Sequence, residues 1–329
     1  MNVVIHRYNS ICEPDYIRAF KQIGLTVIED REEMTRKSIP GDERVETMAR
    51  LILENHPLFV FTINFFPYIS EICERLRVFY VCVSADCPVE EIYDPAIRNS
   101  MNRVFLFDRA QYLSVCGENP AGIFHLPLGV DVERIEEEIG VFDDFAKDPH
   151  YDYDVSFIGS LYNEPTRKPE DRGTSEDRIS LLNGLAAGLP GAGIHLFTRS
   201  DVSALKGVHC HGGVKTNVEM PTVFRTSCIN LHTTMRGIRT GLPQRVWDIL
   251  GSGGFLLSDA QEEIPEYLTA GKHLDVYENP EEAAEKVRYW ISHEEERRQI
   301  ARAGYEEVRA HHKVLDRVIA MIGIIVGDK

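Results

Sequence analysis

The 329-residue sequence contains no apolar run approaching the roughly 20 residues needed to span a bilayer, so no transmembrane segment is expected. It contains no C-x-x-C pair. Its 7 cysteines are scattered and odd in number, which argues against a disulfide framework and against a structural zinc site. Positive charge is scarce as well: 36 Lys and Arg stand against 52 Asp and Glu. The resulting net charge of −16 disfavours nucleic acid or an anionic membrane as a partner, because both require a basic footprint. A small anionic ligand is not excluded, since it needs only a local cluster of cations and a helix N-terminus. Low-complexity tracts and short-period repeats are absent. The opening MNVVIHRYNS enters a strand-like run with no basic n-region and no cleavage site, so a cytoplasmic location is expected.

What is present fits an ordinary globular protein, with 43% hydrophobic and 27% charged residues. A domain size of roughly 150 residues divides the chain in two. In the first half, strands are expected at Val3–His6, Thr26–Glu29, Leu58–Ile63, Val78–Val83, Val104–Phe107 and Ile123–Pro127. Helical patterns separate them at Glu13–Gln22, Asp42–Glu54, Ile69–Arg75, Pro95–Asn99 and Arg109–Val115. The apolar runs are nearly continuous, as in parallel strands buried on both faces. Residues 132–153 read as an acidic connector with one short helix. The alternation then restarts with strands at Val155–Ile158, Ile194–Phe197, Cys228–Leu231, Phe255–Leu257 and His273–Val276. The pattern is α/β, with two doubly wound halves in series, residues 1–150 and 151–312. A last helix, with an apolar face of Val314, Ile319, Ile322 and Ile325, either crosses back to the first domain or caps the second. Ligands of such sheets bind beyond the carboxyl ends of the strands.

The most chemical stretch is Gly241–Asp259, GLPQRVWDILGSGGFLLSD. Gly241 and Pro243 shape a loop entering a helix near Gln244, whose free N–H groups and dipole favour an anion. Arg236, Arg239 and Arg245 bracket that loop, so a diphosphate is a reasonable occupant, and Asp248 is placed to accept from a ribose diol. The plainer reading makes Arg245 and Asp248 an i, i+3 ion pair, and Gly253 and Gly254 packing glycines. Upstream, the strand FIGSLY ends in a glycine turn, which makes Gly159 and Ser160 candidates for approaching a phosphate. The polar insert at 162–174 carries Arg167, Lys168 and Arg172, with Arg178 just beyond, and these cations are expected either to close over the diphosphate or simply to be solvated. In the first half, Arg7, Tyr8, Asn64, Ser84 and Asp86 end strands and are candidate acceptor-side groups. Asp86 is the candidate general base for an inverting reaction, or else a turn residue before Pro88. Asp108 has the same two readings, and His125 reads as a strand-end histidine. His209 and His211 lack a third nearby ligand, and no metal site is expected.

From Cys228 to Asp259, the sequence CINLHTTMRGIRTGLPQRVWDILGSGGFLLSD resembles the C-terminal domain of the spore maturation protein CgeB-like glycosyltransferases. The following EEAAEKVRYWISHEEERRQIARAG, and FVFTINFFPYISEIC, VFYVCVSADCPV, VFLFDR and FHLPLGVD in the first half, extend the resemblance over nearly the whole chain. It implies a GT-B fold, two facing Rossmann-like domains with parallel sheets, with the donor held mainly by the second. Against the wider retaining GT-B pattern, Asp248 falls where a Glu usually holds the donor ribose. Thr240 falls where a first Glu usually touches the donor sugar, a departure that bears on sugar identity and on a retaining outcome. Val214 and Lys215, in HGGVK, fall where related enzymes recognise the base. The resemblance implies transfer of a sugar from a nucleotide-diphosphate donor, a UDP-sugar by expectation, to a hydroxyl of a glycan, protein or small molecule. No metal or other cofactor is implied. Arg239 and its neighbouring arginines would stabilise the leaving group. Rival expectations are a nucleotide-sugar epimerase on the same scaffold and an inactive nucleotide-sugar-binding protein.

Overall fold

The computed structural model describes residues 1–36, 38–147, 149–161 and 175–327. Contacts divide the chain into two compact units. One comprises Met1–Gly129, Arg239–Gly241 and Val314–Lys329, and the other comprises Val130–Ile238 and Leu242–Lys313.

In the first unit the order is β1 (Asn2–His6), α1 (Glu13–Gln22), β2 (Thr26–Asp30), α2 (Glu32–Thr35), α3 (Gly41–Asn55), β3 (Phe59–Ile63), α4 (Pro67–Leu76), β4 (Phe79–Val83), β5 (Asn102–Leu106), α5 (Arg109–Val115) and β6 (Ile123–His125). These strands form one parallel sheet in the order β2-β1-β3-β4-β5-β6. Every residue of β3 and β5 is buried, which is why FVFTI shows no alternation of polar and apolar positions. The strand at the edge, β2, has only its last residue buried and correspondingly carries Thr26, Glu29 and Asp30.

The second unit begins with α6 (Val132–Ile139) and α7 (Phe142–Lys147), where the sequence suggested a connector with one helix. Asp131 caps α6 by accepting from Arg134 N, and Gly140 ends it, so the acidic segment is two short helices rather than one. Then follow β7 (Tyr153–Ile158), α8 (Ser175–Gly188), β8 (Ile194–Phe197), β9 (His209–His211), α9 (Met220–Arg225), β10 (Ser227–His232), α10 (Gln244–Gly251), β11 (Leu256–Asp259), α11 (Ile264–Tyr267), β12 (Asp275–Tyr277), α12 (Pro280–Ser292) and α13 (Glu294–His311). The sheet is again parallel, in the order β12-β11-β10-β7-β8-β9. Its core joins Val155, Phe157, Ile229, Leu231 and Leu257 to apolar faces of α8, α12 and α13. Trp247 of α10 is fully buried against Tyr267 and His312. Gly253 follows α10 at φ +76°, and a Cβ there would lie 2.2 Å from the Phe142 ring, so this turn requires glycine.

The last helix, α14 (Val314–Gly327), packs on α1 in the first unit. Its buried residues are Val314, Arg317, Val318, Met321 and Ile325, and Arg317 Nε donates to the Leu128 carbonyl at 3.2 Å. Ile319, expected on the apolar face, is 54% exposed. The steps 314, 318, 321 and 325 keep one helical stripe, and residue 319 is rotated out of it by about 100°. No helix among the described residues is long and apolar enough to cross a membrane.

Candidate functional site

All six strands of the second sheet end at one edge, and its polar groups gather there. Arg178 of α8 is buried and donates from Nη1 to the Ser160 carbonyl at 2.6 Å and from Nη2 to the Thr233 carbonyl at 2.5 Å. It thereby ties the turn after β7 to the turn after β10, with its guanidinium 5.3 Å from the Phe157 ring centroid. His232, the last residue of β10, is buried, and its carbonyl accepts from the Tyr277 hydroxyl at 2.8 Å. Burial pushes its imidazole well below the usual histidine range, and Arg178 and Arg245 add to the shift. Asp259, ending β11, accepts from Thr234 N at 2.8 Å, Thr234 Oγ1 at 3.0 Å and Gln261 Nε2 at 3.0 Å. Burial nevertheless raises its carboxyl.

Helix α10 begins after Pro243, whose side chain makes no capping bond. Gln244 Nε2 donates to Asp248 Oδ1 at 2.9 Å, and Arg245 Nη1 lies 3.5 Å from Asp248 Oδ2. The i, i+3 pairing anticipated for Arg245 and Asp248 is therefore formed. Burial raises the Asp248 carboxyl, while Arg245, Gln244 and Arg134 oppose the shift. Arg245 also lies over the Phe224 ring, 5.4 Å from its centroid, and touches the Met220 sulfur. Gly159 and exposed Ser160 follow β7, and Ser160 Oγ stands 3.0 Å from Ser200 Oγ. Arg236 is exposed on the loop after β10. Val214 is half-buried, whereas Lys215 is exposed and engaged with Glu219, its N–H donating to Oε2 at 2.8 Å. Arg167, Lys168 and Arg172 lie outside the described residues.

Arg239, Thr240 and Gly241 belong to the first unit. Asp108, fully buried, caps α5 by accepting from Gln111 N through Oδ1 at 2.8 Å. Its Oδ2 accepts from Arg239 N, Thr240 N and Gly241 N at 2.8, 2.8 and 3.0 Å, and Thr240 Oγ1 accepts from Ala110 N at 3.1 Å. The N–H groups of Arg239, Thr240 and Gly241 are thus spent on a carboxylate, whereas the helix start at Gln244 lies beyond them. A Cβ on Gly241 would sit 2.7 Å from the Phe107 carbonyl oxygen, so glycine here permits the close approach of two backbones. Asp108 is a structural clamp, the second of its two sequence readings.

At the carboxyl edge of the first sheet, Asn64 sits in the left-handed region at φ 60° and organises its neighbours. Its Nδ2 donates to Asp86 Oδ2 at 2.6 Å and to the Tyr8 hydroxyl at 3.1 Å. Its Oδ1 accepts from Ala85 N and Asp86 N at 3.0 and 3.3 Å. Asp86 remains exposed, while burial and, next, the Asp86 charge raise the Tyr8 phenol and keep it protonated. Arg7 is held by Glu13 at 3.0 Å and Glu29 at 2.5 Å. His125 Nε2 lies 3.2 Å from the Phe107 carbonyl oxygen. The sequence reading overlooked His6, whose Nδ1 is 2.7 Å from Asp30 Oδ2, both residues being buried. A histidine and an aspartate ending neighbouring β-rich runs were the available signal. It also overlooked β9, whose His209 and His211 stack on His195 of β8, with His195 Nδ1 3.0 Å from His211 Nε2.

Comparison places these edges in context. Residues 178–323 match a family profile described as glycosyl transferase-like. No curated protein sequence matches the chain. Among solved structures, the chain is similar to a glycosyltransferase from Rickettsia africae ESF-5, at 12% identity and TM-score 0.67, over 100% of this chain and 99% of that one. It is similar to sucrose-phosphate synthase from Thermosynechococcus elongatus, at 10% identity and TM-score 0.68, over 100% of both chains. It is also similar to Anabaena Alr3699/HepE, solved in complex with UDP and glucose, at 11% identity and TM-score 0.61, over 97% and 98% of the two chains. At these identities the likeness establishes the fold, the α/β two-domain architecture of GT-B glycosyltransferases.

Proposed function

We propose that the protein is a CgeB-like glycosyltransferase that moves a sugar from a nucleoside-diphosphate donor, a UDP-sugar in keeping with the UDP held by the Anabaena protein, to an acceptor hydroxyl. The observation that carries this reading is the gathering of Arg178, His232 and Arg245 at one strand edge of a protein with net charge −16, beside the start of helix α10. In this reading Arg245, Arg236 and the α10 N-terminus receive the diphosphate, Gly159 and Ser160 approach it through the backbone, and Asp248 accepts from the ribose. Val214 and Lys215 flank the base. Thr240 and Gly241, held by Asp108, shape the loop that leads into α10, and Arg239 adds positive charge for the leaving group. On the acceptor side Arg7, Tyr8 and Asn64 fix the hydroxyl, and Asp86 takes its proton as the oxygen bonds to the sugar's anomeric carbon and the bond to the diphosphate breaks.

Charge neutralisation is assigned to guanidinium groups rather than to a metal ion, so activity should survive EDTA. Isothermal titration with UDP, GDP and dTDP tests the donor site: binding of one, weakened by Arg245→Ala and Asp248→Ala, is expected. Binding of none, or binding indifferent to both substitutions, sinks the assignment. Product analysis separates transfer from epimerisation, since an epimerase returns an altered nucleotide sugar without consuming an acceptor. Slow donor hydrolysis distinguishes an active enzyme from an inert binding protein.

A further inference from the structure

One polar atom at the carboxyl end of β10 is left without a bond. His232 is only 6% exposed, and its Nε2 has no hydrogen-bond partner among the described residues. A buried ring nitrogen without a partner is destabilising unless something meets it during function. The surroundings indicate the charge of that partner. Arg178 from α8 and Arg245 from α10 both act on the imidazole. Tyr277 of β12 is committed to the His232 carbonyl and to Thr233 Oγ1, the latter at 2.6 Å. Asp259 of β11 is committed to Thr234 and Gln261, and Asp248 stands against Arg245 at 3.5 Å. Arg178 thus reaches the carbonyl next to His232, both guanidinium groups act on the ring, and the carboxylates of Asp259 and Asp248 are already engaged.

We propose that His232 bonds the diphosphate of the donor and takes up a proton from solvent when the donor binds. The inference rests on the donor reading above and adds to it a residue and a proton linkage. Without ligand, burial and the two guanidinium groups hold the ring neutral. A diphosphate brings about two negative charges to the same cluster and reverses that balance, so the protonated ring becomes a charge-assisted donor to a phosphate oxygen. Because the bound form holds the extra proton, donor affinity falls as pH rises through the bound-state pKa of His232.

The test is titration calorimetry of the full chain with UDP-glucose, whose diphosphate has no group titrating near neutrality, in buffers of different ionisation enthalpy at about pH 6.5. The wild type is expected to take up a measurable fraction of a proton per UDP-glucose bound. His232→Gln should bind about tenfold more weakly with no uptake. Binding by the wild type without uptake, or uptake retained in His232→Gln, overturns the proposal and leaves the donor reading standing. Should the variant not fold, the imidazole resonance of His232 in histidine-labelled wild type decides instead. It must titrate at a higher pH with UDP-glucose than without, and an unmoved midpoint is the contrary result. If UDP-, GDP- and dTDP-glucose all fail to bind the wild type, the donor reading itself falls, and this proposal with it.

Discussion

At the carboxyl edge of the first sheet, ionisable side chains are mainly acidic and tied to one another: Glu13 and Glu29 to Arg7, Asp30 to His6, and Asp86 to Asn64. At the corresponding edge of the second, Arg178, Arg236 and Arg245 outnumber Asp248 and Asp259, and His232 keeps a nitrogen with no hydrogen-bond partner among the described residues. Both edges are built by the same device, six parallel strands with turns at one end. The difference lies in what the turns carry. An exposed carboxylate held by an amide suits a hydroxyl, whereas converging guanidinium groups suit an anion.

The sharpest way to break this contrast is Asp86→Asn, which keeps the hydrogen bond to Asn64 within reach but removes the base. Transfer should fall by about 10²–10⁴-fold, while UDP affinity is unchanged. Unaltered turnover would remove Asp86 from the chemistry, and the anomeric configuration of the product, read by NMR, would independently show whether a base on this side is needed. Next in size is Asp108→Ala. It strips the acceptor from three backbone N–H groups and a helix cap, and should cost about 3–5 kcal/mol in denaturant unfolding. A cost below about 1 kcal/mol would mean that water replaces the carboxylate easily, and the clamp would be incidental. Smaller again is Arg245→Ala. It should weaken UDP binding about tenfold with little change in stability, since its partner Asp248 is only three residues away and keeps Gln244.

These two edges were unequally legible in the sequence. Strands such as β3 announced themselves because burial on both faces demands an unbroken apolar run, and α12 because Asn279 caps it ahead of Pro280. Arg245, Asp248 and the loop before them stood out as cations and glycine near a helix start. β9 did not, because its residues His209–His211 form a short, polar edge strand with no period to detect. Nor did the Asp108 clamp, which joins residues more than 130 positions apart and gives Gly241 a different task from the one its surroundings suggested. His232 was equally hidden. Its burial and its missing partner are properties of packing, and nothing in NLHTT distinguishes it from a histidine satisfied by its neighbours.

The smallest expected effect concerns acid, and it separates the two units directly. His195, His232 and His273 all lie in the second unit, and burial lowers each below the ordinary histidine value of 6.5. A folded-state pKa below the unfolded value means that the unfolded chain binds protons first as pH falls. Stability is therefore intact above the unfolded value and declines as pH drops from about 7 towards 5. The raised carboxyls of Asp248 and Asp259 act in the opposite sense, their contribution being lost as pH rises through their folded-state values. In the first unit His6 sits against Asp30. Hydrogen exchange at stepped pH, corrected for intrinsic rates, should show amides of β10 and β11 losing protection before those of β3 and β4. His232→Gln should remove part of that slope. Simultaneous loss across both units would show that acid acts on the chain as a single cooperative body, and the contrast between the edges would then be one of chemistry without one of stability.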